Sequence, residues 1–286
     1  MPRAILRPVT PADAPACGRI CYEAFAAIAA QHNFPPDFPS PEFAESVLAS
    51  MLAHEEVTAT AAVIEGAVVG SCFVTDTGPI AAIGPISVAP TVQDGSVGRQ
   101  LMEQALDAAT QRGFVGVRLV QAAYHSRSMA LYAKLGFEVR EPLVCMQGSP
   151  LEITIPGLPV RQAHADDAER CNVLHFRVHG HTRQPEVADA IRQGLATVVE
   201  RDGRITGYAT LIGFPGHAVG ETNGDLQALI GAAQIFIGPG FLVPTRNGDL
   251  FRWCLAHGLR VTQPLTLMSL GLYNEPNGVF LPSVLF

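Results

Sequence analysis

Residues 83–137 constrain the fold more than any other stretch of this chain. They open with an apolar run, IGPISVAP, pass through a short polar loop, TVQDGSVG, and enter an amphipathic helix, RQLMEQALDAATQRG. A second strand, VGVRLVQAA, follows, and then a helix that closes on LYAKLGF. A strand feeding a small-residue loop at a helix start makes an anion site. The first helical N–H groups have no intrahelical partner, the macrodipole adds partial positive charge, and small residues let an anion approach the backbone.

The pairing of this loop with the closing helix is specific. Gln93, Ser96 and Gly98 stand where the GNAT superfamily of acyl-CoA-dependent N-acyltransferases carries its Q/R-x-x-G-x-G/A pyrophosphate loop. HSRSMALYAKLGF (residues 125–137) resembles that superfamily's N-x-x-A/S-x-x-L-Y-x-x-x-G-F segment. The resemblance covers roughly the first half of the chain, with two departures. Ser96 replaces the first glycine of the loop, and His125 replaces the usual asparagine. A serine still fits a tight turn, and the histidine alters the contact to the pantetheine arm.

At 286 residues the chain is long enough for two domains of ~150 residues. With 48% hydrophobic and 16% charged residues it can fill a sizeable core. A formal net charge of −7 argues against nucleic-acid or anionic-membrane partners and suits a cationic amine. No apolar run reaches the ~18 residues of a spanning helix, and MPRAILRPVT lacks a signal peptide's hydrophobic region. The six cysteines show no C-x-x-C spacing, which predicts free buried thiols in a reducing cytosol.

Along the chain, Thr10, Pro11 and Asp13 mark a helix start, and the proline-rich residues 31–43 predict a loop. Residues 57–74 read as a hairpin turning at Glu65-Gly66, and SPLEITIPGLP (residues 149–159) reads as a boundary. Beyond it the chain repeats itself faintly. Arg7/Arg161, Asp13/Asp167, Ala14/Ala168 and Cys17/Cys171 match at one constant offset. EGAVVGSCFV finds a partner in DGRITGYATL, and LYAKLGFEV in WCLAHGLRV. The copy has no Q-x-x-G-x-G: it reads GHAVGETNGDLQALIGAA, where Glu221 and Asp225 would repel a phosphate, and Cys254 answers Tyr132.

The expected fold is therefore α/β, with two tandem GNAT-like domains, each a mixed, mostly antiparallel sheet flanked by helices. Residues 1–150 form the acetyl-CoA-binding domain, and residues 151–286 a degenerate one that completes the acceptor pocket or stands in for a dimer partner. The resemblance implies acetyl-CoA-dependent N-acetylation of a small primary amine or amino-terminal group by direct attack on the thioester, in the cytoplasm and without a metal. The rivals are a coenzyme-sensing or protein-binding pseudoenzyme and transfer to an aminoacyl or peptide acceptor.

By the resemblance, Ile86, Ser87 and Val88 present main-chain groups to the pantetheine arm, while Gln93, Asp94, Ser96, Val97, Gly98 and Arg99 hold the pyrophosphate. Tyr132 protonates the leaving sulfur, with Ser128 and His125 beside the coenzyme and His125 also placed for a water relay. His32, Asn33 and Asp37 are acceptor-side candidates. No carboxylate stands on the strand before the loop, so the base is open among Asp76, Glu23, His32 and His125. HFRVHGH places His175 and His179 on one helix face, and with no completing ligand nearby it reads as a substrate-facing or solvated cluster.

Overall fold

The computed structural model describes residues 4–76, 78–93 and 95–285, so Asp94 lies outside the described residues. The first half runs β1 (Ile5–Pro8), α1 (Ala14–Gln31), α2 (Pro41–Leu52), β2 (Val57–Ile64), β3 (Ala67–Asp76), β4 (Ile80–Val88), α3 (Val97–Gln111), β5 (Gly116–Ala122), α4 (Ser126–Lys134) and β6 (Glu138–Gln147). The second runs β7 (Val160–Gln162), α5 (Asp167–His179), α6 (Gln184–Arg192), β8 (Thr197–Arg201), β9 (Arg204–Ala209), β10 (Ala218–Gly220), α7 (Asn223–Ala232), β11 (Phe241–Pro244), α8 (Gly248–Ala256) and β12 (Arg260–Gly271). The order of strands and helices is the same in both halves, and β13 (Val279–Leu281) is appended.

The faint sequence matches are structural ones. Arg7 donates two hydrogen bonds to Asp13, at 2.7 and 2.8 Å, and Arg161 donates two to Asp167, at 2.6 and 3.0 Å. Each aspartate also accepts a main-chain N–H three residues back, from Thr10 at 2.8 Å and His164 at 2.9 Å. Each carboxylate thus joins a strand end to a helix start, and the Arg161 guanidinium holds Asp167 down at about 2. Asp13→Ala and Asp167→Ala should each lower the unfolding free energy by about 2 kcal/mol in denaturant titrations. A loss at one site alone would contradict their equivalence.

The hairpin turns also correspond. Glu65-Gly66 and Asp202-Gly203 take positive φ at both positions, +50 and +82° against +52 and +71°, as a tight right-twisted hairpin requires. The proline-rich loop is shorter than expected, because Ser40 caps α2 through its hydroxyl and Pro41 occupies the first turn, where a missing N–H costs nothing. Gly18 is where α1 and α2 cross: a Cβ there would lie 2.4 Å from Glu45 Cα.

The strands form an eight-stranded mixed sheet, β1-β2-β3-β4-β5-β12-β6-β11, and a five-stranded antiparallel one, β13-β10-β9-β8-β7. The larger sheet draws on both halves reciprocally. β12 lies between β5 and β6, while β11 pairs with β6. Each half therefore seats its last strand beside the preceding strand of the other half, and β6 and β12 pair at the centre. In β4 and β5 the only parallel pairing is Ile80–Ala82 with Gly116–Arg118. Helices α3 and α4 cover one face of this region, with Leu101 and Met102 of α3 and Tyr132 of α4 in one cluster with Ile83 and Leu119. Cys17 and Cys21 of α1 and Leu48 of α2 pack with Phe73 of β3. All six cysteines are free and buried.

Candidate active site

The site begins where β4 and β5 part. Ile83 lies opposite Val74 and Ile86 opposite Cys72, so Gly84 and Pro85 bulge out of β4 and re-aim its second half. Beyond Ala82 the edge of β4 facing β5 has no strand partner, which leaves main-chain groups of Ile86, Ser87 and Val88 on that edge free of a ladder. A cavity of about 1420 Å³ opens there, lined by both strands, the α3 start, α4 and parts of the second half.

At one end of the cavity lies the loop before α3. Ser96 is left-handed, φ +64°, so it makes the turn that a glycine would make without strain, at a cost of about 1 kcal/mol. The first main-chain N–H bonded back into the helix is that of Gln100, to Ser96 O at 3.0 Å. Those of Val97, Gly98 and Arg99 are left at the cavity wall. Gln93 braces the loop, donating to Val88 O at 3.0 Å and accepting from Arg127. Arg127, in the first turn of α4, lies within the motif, but the motif pattern places no requirement on that position. A Cβ added to Gly98 would meet Val88 and Leu131 only at 3.7 and 3.8 Å, so no protein contact requires glycine there. The space is left for something else. These residues fit the diphosphate of a coenzyme.

The start of α7, the corresponding helix of the second half, has carboxylates of its own beside it. Asp225, fully buried, accepts from Thr222 N at 2.8 Å, from Thr222 Oγ1 at 2.7 Å and from Thr206 Oγ1 at 2.6 Å. Beside it Glu221 is held by Arg177, at 2.6 Å, and by Arg204.

Helix α4 carries the other functional side chains. His125 replaces the family's asparagine without losing its local role: Nδ1 caps the helix by accepting from Ser128 N at 3.0 Å, as Asn247 Oδ1 accepts from Leu250 N in α8. The cap leaves the proton of the neutral ring on Nε2, and burial, with Arg127 nearby, lowers the ring's pKa. Tyr132 lines the cavity but is only 6% exposed, packed near Phe137 and Cys72. Burial raises the phenol well above its ordinary range, against the opposing effect of a Ser128 hydrogen bond, so it holds its proton at neutral pH.

Of the acceptor-side candidates, Asp37 lines the cavity, whereas His32 and Asn33 are exposed and outside its lining. The His32 and Phe34 rings pack on Tyr124, the latter stacked at 4.3 Å. Asp37 Oδ1 accepts from Gln263 Nε2 at 2.7 Å, a residue of β12 that no sequence signal linked to it. Both Asp76 oxygens are engaged, by Gly78 N at 2.9 Å and Arg112 at 3.1 Å, and Glu23 pairs with Arg19 outside the cavity. Gln121 of β5 lines the cavity with neither amide atom hydrogen-bonded.

The histidine cluster is neither solvated nor part of the cavity lining, contrary to the expectation from its polarity. His175, His179 and His181 are 2, 6 and 4% exposed. His175 Nδ1 meets Tyr208 Oη at 2.8 Å, Tyr208 Oη meets His217 Nε2 at 2.8 Å, and His217 Nδ1 meets Glu186 at 2.8 Å. Gly180 ends α5 with φ +76°, and the chain turns back so that the His175 ring packs against those of His179, His181 and His217, the last just before β10. Among the described residues, no group of three or more His, Cys, Asp or Glu is arranged to hold a metal.

Residues 25–137 match the model of the acetyltransferase (GNAT) family. That stretch is a GNAT acetyltransferase domain. Solved structures extend the likeness to the whole length. A protein from Pyrococcus horikoshii assigned as an acetyltransferase superposes with a TM-score of 0.73 at 18% identity, covering 98% of this chain and 95% of that one. A GCN5-related N-acetyltransferase from Sphaerobacter thermophilus gives 0.63 at 17%, covering 96 and 98%. A tandem GNAT protein from the clavulanic acid biosynthesis pathway gives 0.58 at 14%, covering 94 and 98%. At these identities the likeness is one of fold, and the fold is a tandem GNAT one. No curated protein matches the chain. No helix among the described residues is long and apolar enough to cross a membrane.

Proposed function

We propose that this protein transfers the acetyl group of acetyl-CoA to a small primary amine or amino-terminal group, with residues 1–150 holding the coenzyme. The observation that carries the reading is the contrast between the two helix starts: α3 turns N–H groups and an uncrowded Gly98 toward the cavity, whereas at α7 a Cβ on the corresponding Gly224 would meet Leu158 at 3.0 Å and the buried Asp225 carboxylate stands in the first turn. Residues 151–286 then hold no coenzyme. They wall the acceptor side and stand in for a dimer partner, a role supported by the reciprocal seating of β6 and β12.

Acetyl-CoA supplies an activated carbonyl and a thiolate leaving group. The diphosphate lies on the N–H groups of residues 97–99, and the free edge of β4 orients the pantetheine arm. The phenol of Tyr132 gives its proton to the departing sulfur. A cavity of about 1420 Å³ exceeds the ~300–1,000 Å³ of an ordinary single-ligand pocket, and so has room for coenzyme and acceptor together. Tyr132→Phe should lower kcat by ~10- to 100-fold and leave acetyl-CoA affinity nearly unchanged. Steady-state thioester consumption over an amine panel reads this, and an unaltered kcat removes Tyr132 from the chemistry. Acetyl-CoA binding without turnover of any amine would instead favour a coenzyme-sensing protein.

A further inference from the structure

The geometry points to Asp37 as the group that takes the proton from the acceptor amine, held in place by Gln263 of the second half. The inference rests on the acetyltransferase reading above and supplies its missing base.

Among the described residues, five carboxylates line the cavity: Asp37, Glu56, Asp76, Glu186 and Asp189. Asp76, Glu186 and Asp189 are each committed to an arginine, Arg112, Arg183 and Arg192 respectively. Glu56 is exposed, at the end of the segment that leads into β2. Asp37 alone is half-buried with only a neutral partner among the described residues, the Gln263 amide on Oδ1. Its Oδ2 is left for a substrate.

The amide is itself oriented. Gln263 is 1% exposed and follows a bulge in β12, where the pairing steps from Val261–Met146 to Gln263–Cys145. Its Oε1 accepts from the Tyr124 hydroxyl at 3.2 Å while Nε2 donates to Asp37, and Tyr124 is pinned by the stacked Phe34 ring. A flipped amide would set Oε1 against the carboxylate, so the chain Tyr124–Gln263–Asp37 has one favourable sense.

The surroundings make Asp37 a better base than a surface carboxylate. The titratable groups around it are Cys21 of α1, Tyr124 after β5 and Cys145 of β6, and all are neutral at pH 7. Burial pushes the Asp37 carboxyl up, the Gln263 hydrogen bond only partly offsets this, and no cation holds it ionised. A base works best when its pKa approaches the working pH.

In the step itself, the ammonium group of the acceptor gives one proton to Asp37 Oδ2, and the freed nitrogen lone pair attacks the thioester carbonyl. The C–N bond forms, the C–S bond breaks, the nitrogen's second proton leaves with the departing thiolate by way of the Tyr132 phenol and solvent, and Asp37 releases its proton to water. For an amine of pKa ≈ 10.4, freeing the lone pair at pH 7 costs about 4.6 kcal/mol, so a base matters most for this substrate class.

The test is the pH dependence of kcat/KM for a lysine-like amine, with acetyl-CoA affinity measured by calorimetry on the same preparations. Asp37→Asn should fall about 100-fold at pH 7, recover as the pH approaches the pKa of the amine, and bind acetyl-CoA as the wild type does. Gln263→Glu, which sets a second carboxylate beside Asp37, should move the acidic limb of the profile to higher pH. A purely structural glutamine would not move it. A wild-type rate and profile in Asp37→Asn overturns the inference while leaving the acetyltransferase reading intact. If Asp37→Asn fails to fold, an unmoved acidic limb in Gln263→Glu overturns it instead. A wild type that binds acetyl-CoA but turns over no amine removes both.

Discussion

Acidification from pH 7 to pH 5 is expected to destabilise this protein markedly. His175, His179 and His181 are buried against one another, and burial, each other and the nearby Arg183 and Arg118 hold their folded-state pKa values below the ordinary 6.5, that of His181 at about 4. A histidine kept neutral in the native state costs nothing above the unfolded pKa. Below it, the unfolded chain binds protons that the native state refuses, so stability falls with pH until the folded value is reached. A ring kept neutral throughout contributes about 2 kcal/mol between pH 7 and 5, a large share of a typical total of 5–15 kcal/mol, and all three rings act in this direction. His217 is a weaker contributor, because Glu186 on its Nδ1 favours the charged form and partly offsets its burial. Melting curves across this range check the expectation. A midpoint that stays level down to pH 5 would mean that the rings accept protons in place.

Gly98→Glu is expected to abolish measurable acetyl-CoA binding, a loss of 100-fold or more, while the melting temperature holds. A Cβ at this position meets only Val88 and Leu131 at ordinary van der Waals separation, so the protein tolerates a side chain. The added carboxylate would then reach the N–H groups of Val97, Gly98 and Arg99. It would satisfy them from within and oppose an incoming diphosphate. Gly98→Ala separates the two effects, because it adds bulk without charge and should cost far less. Calorimetry reads both variants, and tight binding by Gly98→Glu would count against the site.

The local features of this site were readable because their causes are local. The loop and Tyr132 fall within one contiguous motif-bearing stretch, residues 83–137. The Arg7–Asp13 and Arg161–Asp167 pairs span six residues each, so the repeat could be matched through them. What sequence could not reveal depends on partners far along the chain. Nothing in the apolar pattern of β12 says that it lies beside β5, since either β6 or β12 could pack against that strand with the same alternation. Gln263 reaches Asp37 only because of that exchange. Helix α2 was hidden by prolines that turn out to precede it or to occupy its first turn. The histidines read as polar and therefore solvated, yet Tyr208, His217 and Glu186 from three other elements satisfy part of their hydrogen bonding and permit burial.

The most direct measurement of the central claim is the stoichiometry of acetyl-CoA binding to the full chain, read by calorimetry together with amide hydrogen exchange over residues 95–99. One coenzyme per chain, with slowed exchange at Val97, Gly98 and Arg99 and none around Asn223, is the expected result. No binding, two molecules per chain, or protection confined to the α7 start would contradict the account.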